Sequence, residues 1–249
     1  MLPRILAVSD LHADRAWFAW VLRHATRFDL ICIGGDVCDI FAREPAAQQR
    51  AAVKRWLSGL VATGVPVALA EGNHDDRPHR WLEGAGGLDS LLLAGFSGPV
   101  RTGGKQMLLT VCPDTSFEGL AADQIVEGLL SQAAALRAHE PMPWVVLHHE
   151  PPHATPICRG AGGNRSLADA IVRHRPDLVV CAHIHGVPFE RDRGGSWHTR
   201  IGSTLMVNAG QWPDRPWPCH LRIAGDVVTW RAPAHPRETA RIARTSPRP

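Results

Sequence analysis

The sequence predicts an α/β protein built around a parallel sheet. Three observations carry that expectation. Two apolar runs of strand character, Arg4 to Val8 and Leu30 to Ile33, are separated by a stretch with helical periodicity, and the pattern repeats once to reach Val65 to Ala70. Two βαβ units in succession argue for right-handed crossovers. Five strand-like runs end in Asp, His or Asn, and open α/β sheets gather their ligands at the carboxyl ends of their strands. Beyond Gly84, short strands joined by glycine turns take over, which adds a second sheet or an antiparallel extension.

Taken in order, the first strand leads into Ser9-Asp10-Leu11-His12. Asp14 to Thr26 then places Trp17, Phe18, Trp20, Val21, Leu22 and Ala25 on one helical face. Leu30 to Ile33 closes on Gly34-Gly35-Asp36-Val37-Cys38-Asp39. The next helix spans Gln48 to Val61, buries Val53, Trp56, Leu57 and Leu60, and stops at Gly64. The third strand delivers Gly72-Asn73-His74-Asp75. After the glycine-rich stretch 84–87, strands are expected over Leu88 to Gly95, Gly98 to Arg101 and Gln106 to Val111, then a helix from Ala121 to His139. Trp144 to Leu147 leads into His148-His149-Glu150-Pro151-Pro152, and Leu178 to Cys181 into His183-Ile184-His185. Between them a glycine-rich loop, Ile157 to Arg165, precedes a helix from Leu167 to His174 with Ser166 as its expected cap. Ser196 to Ile201, Leu205 to Asn208, and the hairpin of Cys219–Ile223 with Val227–Trp230 read as strands of the second sheet.

Composition narrows the function classes. The 249 residues suffice for one full core, and 45% hydrophobic with 20% charged is ordinary for a globular protein. No signal pattern and no run long enough to span a membrane is visible, so a cytoplasmic location and no membrane partner are expected. The net charge of +3 misleads, because residues 231–249 hold five arginines against the single acid Glu238. The rest of the chain is slightly acidic, so nucleic acid is not an expected partner. The six cysteines show no C-x-x-C spacing and are expected as reduced thiols.

A close pair of divalent ions needs a carboxylate that bridges them, with imidazoles and amide oxygens filling the other positions. The strand ends supply those residue types and no thiolate. The motifs Asp10-x-His12, Gly35-Asp36-x-x-Asp39, Gly72-Asn73-His74-Asp75, His149-x-Pro151-Pro152 and His183-x-His185 occur in the order of the calcineurin-like metallophosphoesterase family, which the sequence resembles from residue 10 to residue 185. The resemblance implies a four-layer αββα sandwich of two mixed β-sheets flanked by helices, here over residues 1–231. Residues 232–249 are left as a Pro/Arg-rich tail, disordered or loosely docked.

The resemblance also implies a site. Asp10, His12, Asp36 and His185 would hold one metal ion, and Asp36, Asn73, His149 and His183 a second, the ions being manganese, iron or zinc. His74 would protonate the leaving oxygen or stabilise the transition state, with Asp39 as its partner. The implied activity is hydrolysis of small phosphodiesters or phosphomonoesters, nucleotides among them, by metal-activated water. Two departures stand out: Ala182 precedes the last motif where the family has glycine, and His148 competes with His149 for the fourth. Asn208-Ala209-Gly210 reads as a structural turn, and Arg159 and Asn164 as solvated loop residues before phosphate contacts. Trp212 and Trp217 read as core residues, with rimming the cleft as the alternative. A non-catalytic scaffold of the same fold is the alternative function. An amidohydrolase barrel is disfavoured because its motif order would be reversed, and a nuclease because the basic surface is missing.

Overall fold

The computed structural model of the chain describes residues 1–82, 88, 90–114, 120–159 and 163–243. The glycine-rich stretch 84–87, the centre of the 157–165 loop and the tail arginines Arg244 and Arg248 lie outside the described residues.

In chain order the first half comprises β1 (Leu2–Val8), α1 (Arg15–His24), β2 (Leu30–Ile33), α2 (Ala46–Val61), β3 (Val67–Leu69), α3 (Pro78–Leu82) and β4 (Leu91–Leu93). It continues through the hairpin β5 (Ser97–Thr102) and β6 (Lys105–Val111), then α4 (Leu120–His139), β7 (Trp144–Leu147), α5 (Arg165–His174) and β8 (Leu178–Cys181). Five strands close the chain: β9 (His198–Ile201), β10 (Thr204–Asn208), β11 (His220–Gly225), β12 (Val227–Arg231) and β13 (Glu238–Arg241).

Among the described residues these strands form a seven-stranded sheet, β13-β12-β11-β1-β2-β3-β4, and a six-stranded one, β5-β6-β7-β8-β10-β9. Both are mixed: β1 through β4 run parallel while β11 is antiparallel to β1, and β6, β7, β8 and β10 run parallel while β5 and β9 are antiparallel. The helical layers follow from strand alternation. In β1, Ile5 and Ala7 join the core between the sheets, whereas Leu6 and Val8 pack with Trp17, Val21, Val53 and Leu57 of α1 and α2. In β7, Val145 and Leu147 face the other sheet, and Trp144 and Val146 pack with Val126, Leu130 and Ile171 of α4 and α5. Both faces of each central strand are covered, which is why these strands are continuously apolar. The result is the expected four-layer αββα sandwich.

Four local expectations change. β4, expected in a second sheet or an antiparallel extension, runs parallel to β3 at the edge of the first sheet. The β11–β12 hairpin belongs to the first sheet, because β11 pairs with β1 in register Ile5↔Ile223 and Ala7↔Leu221. The cap of α5 is Asn164, whose side chain accepts the Leu167 N–H at 2.7 Å, so the helix starts before Ser166. In the tail, Glu238–Arg241 is an edge strand on β12, and Ile242 is buried against the inter-sheet core. All six cysteines are buried thiols outside any disulfide, and burial pushes the Cys32 thiol up to about 12.

Candidate metal centre

The loops leaving β1 and β2 are fastened to each other. Asp10 N–H donates to Gly35 O at 3.0 Å, His12 N–H to Asp36 O at 2.9 Å and Ala13 N–H to Val37 O at 2.9 Å. This geometry holds Asp10 (φ 52°), His12 (φ 42°) and Asp36 (φ 53°) in the left-handed region, and His183 joins them at φ 68°. Such strain in non-glycine residues persists only where the surroundings enforce it, and it clusters at functional sites. Gly35 (φ 92°) cannot be replaced cheaply, since a Cβ there would sit 2.7 Å from Gly72 N and 2.9 Å from His149 Nδ1.

The expected residues converge in two groups, each drawing on strand ends of both sheets. In the first, His185 Nε2 lies 3.3 Å from Asp10 Oδ1 and 3.2 Å from His12 Nε2. In the second, His149 Nε2 lies 3.3 Å from Asp36 Oδ2 and 3.0 Å from Asn73 Oδ1, which is also 2.9 Å from His183 Nδ1. The donor atoms of Asp10, His12 and His185, and those of Asp36, His149 and His183, each lie within 4.8 Å of one another, close enough to hold a metal ion. Asp36 thus groups with the second set, while its Oδ1 accepts the His74 N–H at 2.9 Å. His12, Asp39 and His74 form a third such group.

Strand parity separates the two neighbouring histidines. His149 continues the inter-sheet face of Val145 and Leu147, and its Nδ1–H donates to Gly34 O at 2.7 Å, which leaves Nε2 as the nitrogen that can ligate once it gives up its proton. His148 continues the face of Trp144 and Val146, with Nδ1 2.8 Å from Glu150 O. His74 presents Nδ1 3.4 Å from Asp39 Oδ1 and 3.3 Å from the Ile40 N–H, and its ring meets His12 edge-on at 4.7 Å.

Electrostatics favour a cation here. Burial alone would raise the Asp10 carboxyl, but the hydrogen bond from His185 and the charges of His149 and His185 outweigh it, and it sits below the usual range. Asp36 is lowered in the same way, its burial offset by the hydrogen bond and charge of His149. Burial would lower His149, yet Asp36 lifts it to about 10. Burial lowers His12 and His183. Two buried carboxylates kept anionic need positive charge; His149 and His185 supply it in this structure, since among the described residues lining the cleft there is no Lys or Arg. Carboxylates, imidazoles and an amide oxygen without thiolate suit manganese, iron or zinc.

Three further residues position this site, and two of them, Asp75 and Gln49, were not assigned a role from sequence. The buried Asp75 carboxylate accepts the N–H groups of Asp36, Val37, Cys38 and Gly72. Burial and the charge of Asp36 push it up to about 7, against backbone N–H donors that favour the anion. Buried Gln49 accepts the Asp39 N–H at 2.7 Å and donates to Asp39 O and Glu44 O. Asn208 holds the loop after β8, which supports the structural reading of that turn. Asp75 stands inside a quoted motif, whereas Gln49 carries no local signal. Arg159 ion-pairs with Glu190.

The cleft above these groups has a volume of about 520 Å³. Asp10, His12, Asp36, Asn73, His74, His183 and His185 line it, with Trp17, Phe41, Pro213 and Asp214 among its outer residues. Trp212 and Trp217 do not line it: Trp212 packs on Phe189 and Trp217 on Trp20 and His220.

The fold recurs widely. The protein TT1561 of Thermus thermophilus aligns at TM-score 0.62 and 17% identity over 98% of this chain and 100% of that one. GAP50, the anchor in the inner membrane complex of Plasmodium, aligns at 0.57 and 11% over 97% and 89%. The purple acid phosphatase PPD1 of yellow lupin (Lupinus luteus) aligns at 0.50 and 12% over 96% of this chain and 51% of its own. No curated protein matches by sequence. The family profile described as calcineurin-like phosphoesterase matches residues 3–187, so that the strained strand-end loops, the paired donor groups and the sandwich that joins them place this chain in the calcineurin-like phosphoesterase family.

Proposed function

We propose that the protein hydrolyses small phosphodiesters or phosphomonoesters with a dinuclear metal centre. Asp10, His12 and His185 hold one ion, Asn73, His149 and His183 the other, and Asp36 serves both. The observation that carries this reading is the convergence of two separate donor groups on one cleft that His74 also lines. When bound, a pair of divalent ions acidifies water and neutralises charge on the phosphoryl oxygens.

The chain's own residues do the rest. Gly34 O fixes the His149 tautomer, and Ser9 and the His183 N–H hold the Asp10 carboxylate in place. His74 edges the cleft without belonging to either of the two main groups, which supports reading it as the group that protonates the leaving oxygen or stabilises the developing charge, with Asp39 orienting its ring. Among the described residues no helix is long and apolar enough to cross a membrane. A small soluble substrate fits the cleft's volume.

The test is hydrolysis of an aryl phosphodiester and an aryl phosphomonoester by chelator-treated protein before and after manganese is added. Turnover should appear only with metal, and unchanged activity in excess chelator would refute the proposal. The likeness to an anchor protein favours a second reading, a binding scaffold. His74→Ala separates the two. An enzyme loses about 10²-fold or more in kcat while manganese still binds, and a scaffold shows no turnover to lose.

A further inference from the structure

Phe41 is 83% exposed and its neighbour Ile40 is 56% exposed. Exposed apolar residues scattered singly carry no information, but this pair is placed beside the reacting centre. The Phe41 ring meets His74 edge-on at 5.2 Å and 81°, and Phe41 lines the cleft. Its loop is tied at several points. Gln49 bonds both the N–H and the carbonyl of Asp39, Phe41 N–H donates to Asp39 Oδ1 at 2.9 Å, and Arg15 pairs with Glu44 at 2.7 Å. The backbone under Phe41 is therefore held in place while its ring is left bare. Pro213 adds exposed apolar surface to the cleft, and Leu11 and Trp17 line it from buried positions. Among the described residues its charged side chains outside the two main donor groups, Asp14, Asp39 and Asp214, are all acidic.

Resting on the phosphoesterase reading above, we infer that Phe41 is the specificity residue for the organic half of the substrate, and that this half is apolar or aromatic and bears no further negative charge. His74 is placed for the leaving oxygen, so the group attached to that oxygen extends onto Phe41. An aromatic leaving group gains ring contact there. A second phosphate or a carboxylate meets Asp14, Asp39 and Asp214, and among the described residues lining this cleft there is no Lys or Arg to pair with it. This distinguishes aryl and nucleoside esters from polyphosphates and from esters of acidic alcohols.

Non-hydrolysable ligands test this without turnover. Calorimetry on the full chain with manganese would measure phenylphosphonate, methylphosphonate and phosphonoacetate against wild type, Phe41→Ala and Phe41→Trp. The wild type should bind the phenyl compound best and phosphonoacetate worst. Phe41→Ala should cut the phenyl-to-methyl ratio about fivefold, and Phe41→Trp should restore it. An unchanged ratio in Phe41→Ala, tighter binding of phosphonoacetate than of the phenyl compound, or no binding of any phosphonate would overturn the inference. Should the ratio respond as expected while no ester is turned over, the hydrolytic reading falls, and with it the inference that the group on Phe41 belongs to a substrate. Should esters be turned over with the ratio unmoved, this one falls alone.

Discussion

On the first-sheet side of the cleft the loop after β2 turns its backbone N–H groups inward, towards the carboxylate of Asp75. Asp36 and Val37 donate at 2.8 Å, Cys38 at 3.0 Å, and Gly72 from the neighbouring loop at 3.1 Å. On the second-sheet side the loop after β8 turns carbonyls inward, towards an amide. Asn208 Nδ2 donates to Ala182 O at 3.1 Å and Ile184 O at 3.0 Å, and Asn208 Oδ1 accepts the Gly210 N–H at 2.8 Å. Both groups are buried, and each pins a loop that carries candidate ligands. Their chemistry is opposite because the backbone polarity they satisfy is opposite. Donors call for an anion that accepts several hydrogen bonds, and acceptors call for a neutral group with two N–H bonds to give.

The largest way to break this comparison is at Asp75. Asp75→Ala leaves four backbone donors without their acceptor, and we expect a loss on the order of 4 kcal/mol in urea unfolding. Asp75→Asn, equal in size, should also destabilise, because its amide N–H₂ faces donors. Asn208→Ala should cost roughly 2 kcal/mol and Asn208→Asp more, since a carboxylate would then face two carbonyls. If either isosteric exchange were silent in unfolding experiments, the loops would be held by shape and not by polarity.

A smaller effect belongs to Ser9, whose hydroxyl donates to Asp10 Oδ2 at 2.6 Å. Ser9→Ala should weaken manganese affinity about tenfold by titration calorimetry and shift stability by about 1 kcal/mol. The smallest belongs to a surface pair that serves as a contrast, Glu127 of α4 with Arg173 and His174 of α5 at 2.7 Å. The Arg173 hydrogen bond leads in lowering Glu127 to about 2, so its contribution is present above the ordinary 4.5 and is lost as pH falls towards 2. Glu127 is 37% exposed, so Glu127→Gln should flatten the acid limb of a stability–pH curve only slightly. A large change would mean that exposed pins matter as much as buried ones.

How far the site is legible depends on whether a residue's role is local. The strand ends could be read because a short apolar run closing on Gly-Asp or Gly-Asn-His carries its own signal. Parity along β7 could have separated His149 from His148, since residues 145, 147 and 149 share a face. Asp75 was in view without a role, because nothing local shows that four amides turn towards it. The β11–β12 hairpin was recognised as a hairpin but given to the wrong sheet, since its partner is β1, about two hundred residues away. Part of the tail looked loose because its Arg and Pro content masks an edge strand with one buried anchor, Ile242.

By itself, then, the amino-acid sequence determined the α/β class, the order of the ligand-bearing loops and the chemical types gathered at their ends, because periodicity, glycine punctuation and side-chain identity are properties of neighbours along the chain. Tertiary structure alone decided which strands share a sheet, how the donors divide into two groups, and that Asp75, Gln49 and Asn208 hold them there. Those outcomes depend on hydrogen bonds and packing between residues far apart in sequence, and they exist only once the two sheets have closed on each other.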